Sequence, residues 1–207
     1  DWDMKKSIRL RKTDSGIFAD LYFEKQIPEL KSVGEEIGLD CGYKKLLVSS
    51  DGEVHDVGLE KTYEKISRKQ QGSNRFKKAL VERDNKINQS INSIDFNNLK
   101  TIVVEDLKNV KHKSKGKIRK TFNNKLQRWS YSKVLDRLSN ICEQFGINFI
   151  RIDPRHTSQI CSSCGFKHKN NRNGELFKCL SCGFEADADF NASVNILHRG
   201  VYSPATA

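Results

Sequence analysis

The sequence predicts a mixed α/β fold in which helices flank a sheet, with a small cysteine ribbon placed shortly before the last helix. Three observations favour this fold. Short alternating strands occupy residues 36–57, a continuous apolar run follows at residues 101–105, and helical periodicity fills the segments between and after them. Two Cys-x-x-Cys pairs then interrupt the pattern. The chain of 207 residues is long enough for one such domain and a small satellite.

The chain begins with a predicted β-hairpin that stands apart from the main sheet. Residues 7–12 and 17–23 alternate apolar and polar side chains on either side of a Thr-Asp-Ser-Gly turn. A linker that contains Pro28 follows and ends at Gly34. We therefore expect residues 1–34 to form a separate β unit.

The main sheet is predicted to begin with three short antiparallel strands. Residues 36–42 form the first strand and carry Asp40 near its end, residues 45–49 form the second, and an Asp-Gly turn leads into a third at residues 53–57. This order, with an aspartate on the first strand, is typical of the start of an RNase H-like fold. A single aspartate at the end of a strand is more often a turn residue, so a role for Asp40 depends on its partners.

Helices and two further strands complete the predicted domain. Apolar residues recur at helical spacing over residues 59–93, with an interruption at a Gln-Gly-Ser-Asn segment. Residues 101–105 form a continuous apolar run that ends in Glu105, as expected of a central strand covered on both faces. A long amphipathic helix over residues 122–145 and a strand over residues 147–152 follow.

The charge of the chain indicates a polyanionic partner. The formal net charge is +11 and the pI is about 9.4. Basic residues are concentrated after Glu105, where residues 109–120 have almost nothing to bury and are predicted to form a mobile loop. Such a run is often only a solvated surface, but its position beside a candidate carboxylate favours phosphate contact. The candidate nucleic-acid contacts are Lys111, Lys113, Lys115, Lys117, Arg119 and Lys120.

Four cysteines near the end of the chain are spaced as ligands of a structural zinc ion. Cys161-Ser-Ser-Cys164 and Cys179-Leu-Ser-Cys182 are each followed by glycine and are separated by fourteen residues. Each pair can present two thiolates to one ion, and together they complete the tetrahedral sulfur site that Zn²⁺ favours. The alternative is two disulfide bonds or four unrelated thiols. A thiolate site, together with two isolated cysteines elsewhere in the chain, fits a reducing cytoplasm.

The residues that follow the second cysteine pair carry a resemblance to a known family. Residues 187–196 read Asp-Ala-Asp-Phe-Asn-Ala-Ser-Val-Asn-Ile. A zinc ribbon that runs into this motif resembles the C-terminal end of the TnpB (OrfB) family. These are the RuvC-type nucleases of bacterial insertion sequences, which are related to the compact type V CRISPR effectors. The Gly-Leu-Asp-x-Gly segment around Asp40, Glu105 at the end of its strand, and the Thr-Ser-Gln before the first cysteine pair match the same family.

The resemblance implies a catalytic set of three carboxylates, Asp40, Glu105 and Asp189. Asp187 competes with Asp189 for the third place. The family carries its catalytic aspartate directly before x-Asn-Ala, which is Asp189 in this chain, and Asp187 is then a helix N-terminal residue that the helix dipole favours. Such a set can hold two Mg²⁺ ions about 3.5–4 Å apart for phosphodiester hydrolysis, because Mg²⁺ favours hard oxygen ligands. The carboxylate-only set argues against a serine or cysteine nucleophile, and no glycine-rich loop indicates a nucleotide triphosphatase.

The resemblance therefore implies a Mg²⁺-dependent DNA endonuclease that a transposon-encoded RNA guides to its target. DNA and a guide RNA are the expected partners, with structural zinc and catalytic magnesium as cofactors, in the cytoplasm. Neither a membrane nor a small-molecule substrate is expected, since no apolar run approaches the ~20 residues that a membrane span needs. The alternative is a nucleic-acid-binding regulator that has lost cleavage, and a transposase that moves DNA itself ranks last.

These inferences divide the chain into segments. The resemblance implies that residues 1–34 are the C-terminal piece of a wedge-type β-barrel domain. Residues 35–156 are expected to form the first part of a RuvC-like nuclease domain, residues 157–184 the zinc ribbon, residues 185–199 the last helix of the nuclease domain, and residues 200–207 a tail.

Overall fold

The computed structural model describes residues 2–107 and 130–202. The candidate nucleic-acid contacts at residues 111–120 and the first part of the predicted long helix, residues 122–129, lie outside these ranges. Within them the chain forms a hairpin, a five-stranded sheet with flanking helices, and a small three-stranded sheet. The predicted mixed α/β fold is confirmed.

The N-terminal hairpin consists of β1 (Asp3–Thr13) and β2 (Gly16–Glu24), as predicted. The two strands are antiparallel, and Thr13 lies opposite Gly16. Among the described residues the hairpin strands pair only with each other, and their apolar side chains, including Leu10 and Ile17, are exposed. Residues 25–34 contain no helix or strand, in agreement with the predicted linker.

The central sheet has five strands in the spatial order β5-β4-β3-β6-β7. Their bounds are β3 (Glu35–Cys41), β4 (Leu47–Ser49), β5 (Val54–His55), β6 (Leu99–Glu105) and β7 (Asn148–Ile152). β3, β4 and β5 are antiparallel neighbours, whereas β6 runs parallel to both β3 and β7. The predicted three antiparallel strands and the two later strands are therefore confirmed. Because β3 and β6 are parallel neighbours, their C-terminal ends lie at the same edge of the sheet.

Four α-helices accompany the sheet in the part of the chain that the structure describes. They are α1 (Leu59–Ser67), α2 (Asn74–Asn92), α3 (Tyr131–Phe145) and α4 (Ala188–Val201). The break between α1 and α2 falls at the predicted Gln-Gly-Ser-Asn segment, where the Ser73 hydroxyl accepts a hydrogen bond from the backbone N–H of Phe76. Gly146 ends α3 in the left-handed conformation, which favours glycine. None of the helices within residues 2–107 and 130–202 is long and apolar enough to cross a membrane.

Different helices cover the two faces of the central sheet. Leu39 and Val104 belong to a large core that also contains side chains of α1, α2 and α3. Val103 points to the opposite face, where it packs with Ile196 of α4. Both faces of β6 are thus buried, which explains its continuous apolar sequence.

The backbone of α4 rests directly on β3. A Cβ atom at Gly38 would lie 2.2 Å from the Ser193 carbonyl oxygen and 2.6 Å from the Leu197 nitrogen. Only glycine leaves room for this approach. The contact sets the distance between α4 and the C-terminal half of β3.

A small sheet lies between β7 and α4. Its strands are β8 (Arg172–Asn173), β9 (Leu176–Lys178) and β10 (Glu185–Asp187), in the order β10-β9-β8 with antiparallel pairing. We call residues 161–187 the cysteine ribbon. Its third strand falls within residues 185–199, the segment predicted to hold only the last helix, because β10 pairs with β9 before the chain enters α4.

Candidate functional site

Asp40 and Glu105 lie side by side at one edge of the central sheet. Leu39 pairs with Val104 across β3 and β6, so the next residue of each strand is the carboxylate. Side chains alternate between the two faces of a sheet. Because Leu39 and Val104 face the core beneath α1, α2 and α3, Asp40 and Glu105 point to the other face, where α4 lies. Both residues are only half-buried.

The N-terminus of α4 brings Asp189 to the same edge. Asp187 caps the helix, and its Oδ1 accepts hydrogen bonds from the backbone N–H groups of Asp189 (3.0 Å) and Phe190 (3.1 Å). The Oδ2 of Asp187 lies 2.5 Å from the Lys45 ammonium. Burial acts to raise the pKa of Asp187, but the ammonium and the helix N–H groups hold it below its ordinary value. The structure thus places Asp187 at the helix N-terminus, as predicted for it.

The three carboxylates interact electrostatically. Burial raises the pKa of Asp40 well above its ordinary value, and the charges of Glu105 and Asp189 raise it further. Burial also raises the pKa of Glu105, against the opposing effects of a Thr157 hydrogen bond and of Arg199 and Arg172. Like charges gathered at one sheet edge favour a cation there, which is the electrostatic condition for a Mg²⁺ site.

One positive side chain already reaches the carboxylates. Arg172 of β8 places Nη2 2.8 Å from the Asp189 Oδ1, and its Nε donates to the Gly174 carbonyl oxygen at 3.0 Å. Its charge lowers the pKa values of both Asp40 and Glu105. No sequence pattern pointed to this contact, because Arg172 lies in a polar stretch of the ribbon and only the fold of the ribbon brings it to α4.

The carboxylates are more widely spread than the ligands of a closed metal site. Across residues 2–107 and 130–202, only the four cysteines form a group of His, Cys, Asp or Glu side chains whose ligand atoms all lie within 4.8 Å of one another. Arg172 holds one oxygen of Asp189 in this arrangement. The donor set nevertheless fits Mg²⁺, since it offers hard carboxylate oxygens whose mutual repulsion a divalent ion would relieve.

The four predicted cysteines form a second cluster, which the two Cys-x-x-Cys turns of the ribbon bring together. The Sγ atoms of Cys161 and Cys182 are 3.7 Å apart, and those of Cys164 and Cys179 are 3.6 Å apart. All four are free thiols, so the alternative of two disulfide bonds does not hold. The backbone N–H group of Cys182, together with that of Ser181, lowers the pKa of the Cys179 thiol to about 6. Four sulfur atoms that all lie within 4.8 Å of one another fit Zn²⁺.

Comparison with known proteins finds a matching family model and several relatives. The family model described as "Cas12f1-like, TNB domain" matches residues 131–196. The CRISPR-associated endodeoxyribonuclease Cas12f1 of Sulfoacidibacillus thermotolerans is 43% identical over 97 residues, which cover 46% of this chain and 21% of that protein. A TnpB-like protein of Methanocaldococcus jannaschii is 31% identical over 98 residues, or 47% of this chain and 34% of that protein.

A second Cas12f1 and one solved structure extend the match. The Cas12f1 of an uncultured archaeon is 31% identical over 135 residues, which cover 60% of this chain and 24% of that protein. The matched part of the chain thus spans a quarter or less of both Cas12f1 relatives. A Cas12f1 chain from a complex with sgRNA and target DNA shares the fold, with a TM-score of 0.58 at 22% identity over 92% of this chain and 55% of that chain. The resemblance inferred from the sequence is confirmed.

Proposed function

We propose that this relative of the TnpB proteins and the compact type V CRISPR effectors is a metal-dependent DNA endonuclease with an RNase H-like, RuvC-type core. The observation that carries the proposal is the convergence of three carboxylates from distant parts of the chain. Asp40 and Glu105 meet because β3 and β6 are parallel neighbours, and Asp189 joins them because α4 rests on Gly38. Clustered carboxylates repel one another and cost stability, and a purely structural role does not explain such a cluster.

Asp40, Glu105 and Asp189 are the residues that hold the magnesium ions in this proposal. When bound, Mg²⁺ supplies a Lewis acid and an activated water for phosphodiester hydrolysis. Arg172 offers a fixed guanidinium beside Asp189, where it can donate to a phosphate oxygen of the scissile strand. Asp187 and Lys45 hold the first turn of α4 and so keep Asp189 at the sheet edge.

The remaining parts of the chain have supporting roles in the proposal. Zn²⁺ bound by Cys161, Cys164, Cys179 and Cys182 stabilises the cysteine ribbon, from which Arg172 projects. The basic residues at 111–120, together with a net charge of +11, contact phosphates of DNA or of a guide RNA. The exposed apolar hairpin β1–β2 belongs to a wedge-type β domain. DNA and a guide RNA are the partners, in a cytoplasmic, transposon-associated setting.

The experiment compares cleavage and binding in the full-length protein, assembled with its guide RNA. Asp40→Asn, Glu105→Gln and Asp189→Asn should each reduce Mg²⁺-dependent DNA cleavage to background, while DNA affinity stays within about threefold, because the carboxylates hold the ions and not the DNA. Any two substitutions together should cost little more than one. Asp187→Asn is the matched control and should retain cleavage, because Asp187 serves the helix.

The outcomes separate the nuclease from the regulator. If wild-type protein with its guide binds DNA but cleaves none in Mg²⁺ or Mn²⁺, the nuclease-inactive regulator replaces the enzyme. If Asp187→Asn abolishes cleavage and Asp189→Asn does not, the third carboxylate is Asp187.

A further inference from the structure

We call the sheet edge that carries Asp40, Glu105 and Asp189 the acidic edge. The segment that connects β7 to the cysteine ribbon contributes one buried side chain to it. We call residues 153–160 the connecting segment. The hydroxyl of Thr157 donates a hydrogen bond to the Glu105 Oε1, although the two residues are 52 positions apart in the chain. Thr157 is 2% exposed, so its side chain is buried.

The hydroxyl of Thr157 has two acceptors and one proton. Besides the Glu105 Oε1, the carbonyl oxygen of Pro154 lies 3.0 Å from the Thr157 Oγ1. A carboxylate accepts a stronger hydrogen bond than a neutral carbonyl group does. The proton therefore goes to charged Glu105, and the contact with Pro154 limits the rotation of the hydroxyl. One oxygen of Glu105 is held in this way, which fixes the orientation of the carboxylate as a whole.

Hydrogen bonds from α4 hold the backbone of the connecting segment, and they keep Thr157 directed at Glu105. Arg199 of α4 donates to the carbonyl oxygens of Asp153 (2.6 Å) and Arg155 (2.8 Å). Asn195, one turn earlier in α4, donates to the carbonyl oxygens of Thr157 (2.9 Å) and Ile160 (2.7 Å). The same helix that carries Asp189 thus positions the residue that holds Glu105.

The backbone beside Thr157 adopts a conformation that L-residues rarely accept. His156 has φ 67°, and no other non-glycine residue in the described part of the chain has a positive φ. Such a backbone conformation is strained and persists only where the surrounding structure enforces it. Here the turn directs Thr157 inward, and the His156 carbonyl oxygen accepts from the N–H groups of Gln159 (2.9 Å) and Ile160 (3.1 Å).

We propose that Thr157 is a positioning residue for Glu105, which orients this carboxylate for the metal ion through a hydrogen bond to Oε1. The inference rests on the proposed nuclease function for its consequence, but the contact itself does not depend on cleavage. Groups that orient metal-binding carboxylates typically change metal affinity 10- to 100-fold when they are removed. The Thr of the Thr-Ser-Gln segment thereby acquires a role that the sequence did not assign.

The test uses two substitutions of Thr157, one that removes the hydroxyl and one that keeps it. Thr157→Val keeps the branched shape and removes the hydroxyl, whereas Thr157→Ser keeps the hydroxyl and removes the methyl group. In the full-length protein we expect Thr157→Val to weaken Mn²⁺ binding at the acidic edge 10- to 100-fold, measured by electron paramagnetic resonance titration. Thr157→Ser should stay within about threefold of wild type. In the Glu105→Gln background, Thr157→Val should have no further effect, since the partner is already altered.

A second readout needs neither metal nor cleavage. Crystal structures of the metal-free variants should show the Glu105 side chain rotated or in several conformers in Thr157→Val, and in its wild-type conformer in Thr157→Ser. If Glu105 keeps its conformer in Thr157→Val, or if Thr157→Ser behaves like Thr157→Val in both readouts, the positioning role is wrong. If wild-type protein binds no Mn²⁺ that Asp40→Asn removes, the nuclease proposal fails, and the Glu105 conformer alone then decides the role of Thr157.

Discussion

At the scale of single residues, the carboxylates of the acidic edge favour a bound cation and lower the stability of the metal-free protein. Asp40 is the clearest case, since burial and the charges of Glu105 and Asp189 all disfavour its ionised form. Arg172 offsets part of this repulsion through Asp189. A functional carboxylate placed in this way costs stability, as is common where a site must bind a charged species.

Asp40 should therefore make stability fall with rising pH. Because its folded-state pKa lies above the unfolded value of about 3.9, the folded protein binds the proton more tightly, and stability is lost from about pH 4 upward through the raised pKa. In the absence of divalent ions, Asp40→Asn should remove this slope and raise the melting temperature at pH 8. Thermal denaturation at several pH values measures both effects.

The control for this prediction is an aspartate on the hairpin. Asp20 is partly exposed and pairs with Arg11 within the hairpin, and this contact lowers its pKa, so Asp20→Asn should leave the slope above pH 5 unchanged. Addition of Mg²⁺ should stabilise the wild type and not Asp40→Asn, because ligand that binds only the folded state raises its stability. An unchanged slope in Asp40→Asn would show that another group dominates.

At the scale of elements, the contact between α4 and β3 decides where Asp189 lies. Sequence patterns predicted the strands that carry Asp40 and Glu105, because strand patterns are local and alternation along β3 and β6 leaves little choice of face. The choice of Asp189 over Asp187 rests on the family resemblance around Asn191 and stays a prediction. Sequence patterns could not find Arg172 or Thr157, since both are polar residues of irregular segments whose partners are 17 and 52 positions away and depend on how the ribbon folds.

Gly38→Ala should displace α4 and lower stability by about 1–3 kcal/mol, the usual cost of overpacking a core contact. The new methyl group would clash with backbone atoms of Ser193 and Leu197, and no second substitution can remove backbone atoms. Gly200→Ala is the matched control, because its methyl group would meet only the Val103 side chain, 2.4 Å away. Urea denaturation should show that Val103→Ala relieves part of the cost of Gly200→Ala. A Gly38→Ala protein as stable as the wild type would contradict the contact.

At the scale of the whole molecule, helix α4 connects the cysteine cluster to the acidic edge. The side chain of Asn191 in α4 is fully buried, and its Oδ1 accepts from the N–H group of Ser162, between the first two cysteines, at 2.9 Å. Its Nδ2 donates to the Ile160 carbonyl oxygen at 2.8 Å. A metal ion held by the four cysteines would therefore also stiffen the connecting segment and the first turns of α4, where Asn191 lies two residues from Asp189.

Loss of one zinc ligand should loosen the acidic edge without unfolding the sheet. We expect about one Zn²⁺ per chain in the wild type, and Cys164→Ser should lower this content. Because the ribbon contacts the connecting segment, amide hydrogen exchange in Cys164→Ser should speed up in residues 157–160 and in the first turn of α4, while β3 and β6 stay protected. Cys142→Ser, which changes a buried thiol of α3 outside the cluster, should leave the zinc content unchanged. If exchange in Cys164→Ser rises only within residues 161–187 and α4 keeps its wild-type protection, the two sites are independent, and the packing of α4 against Gly38 positions Asp189 without help from the ribbon.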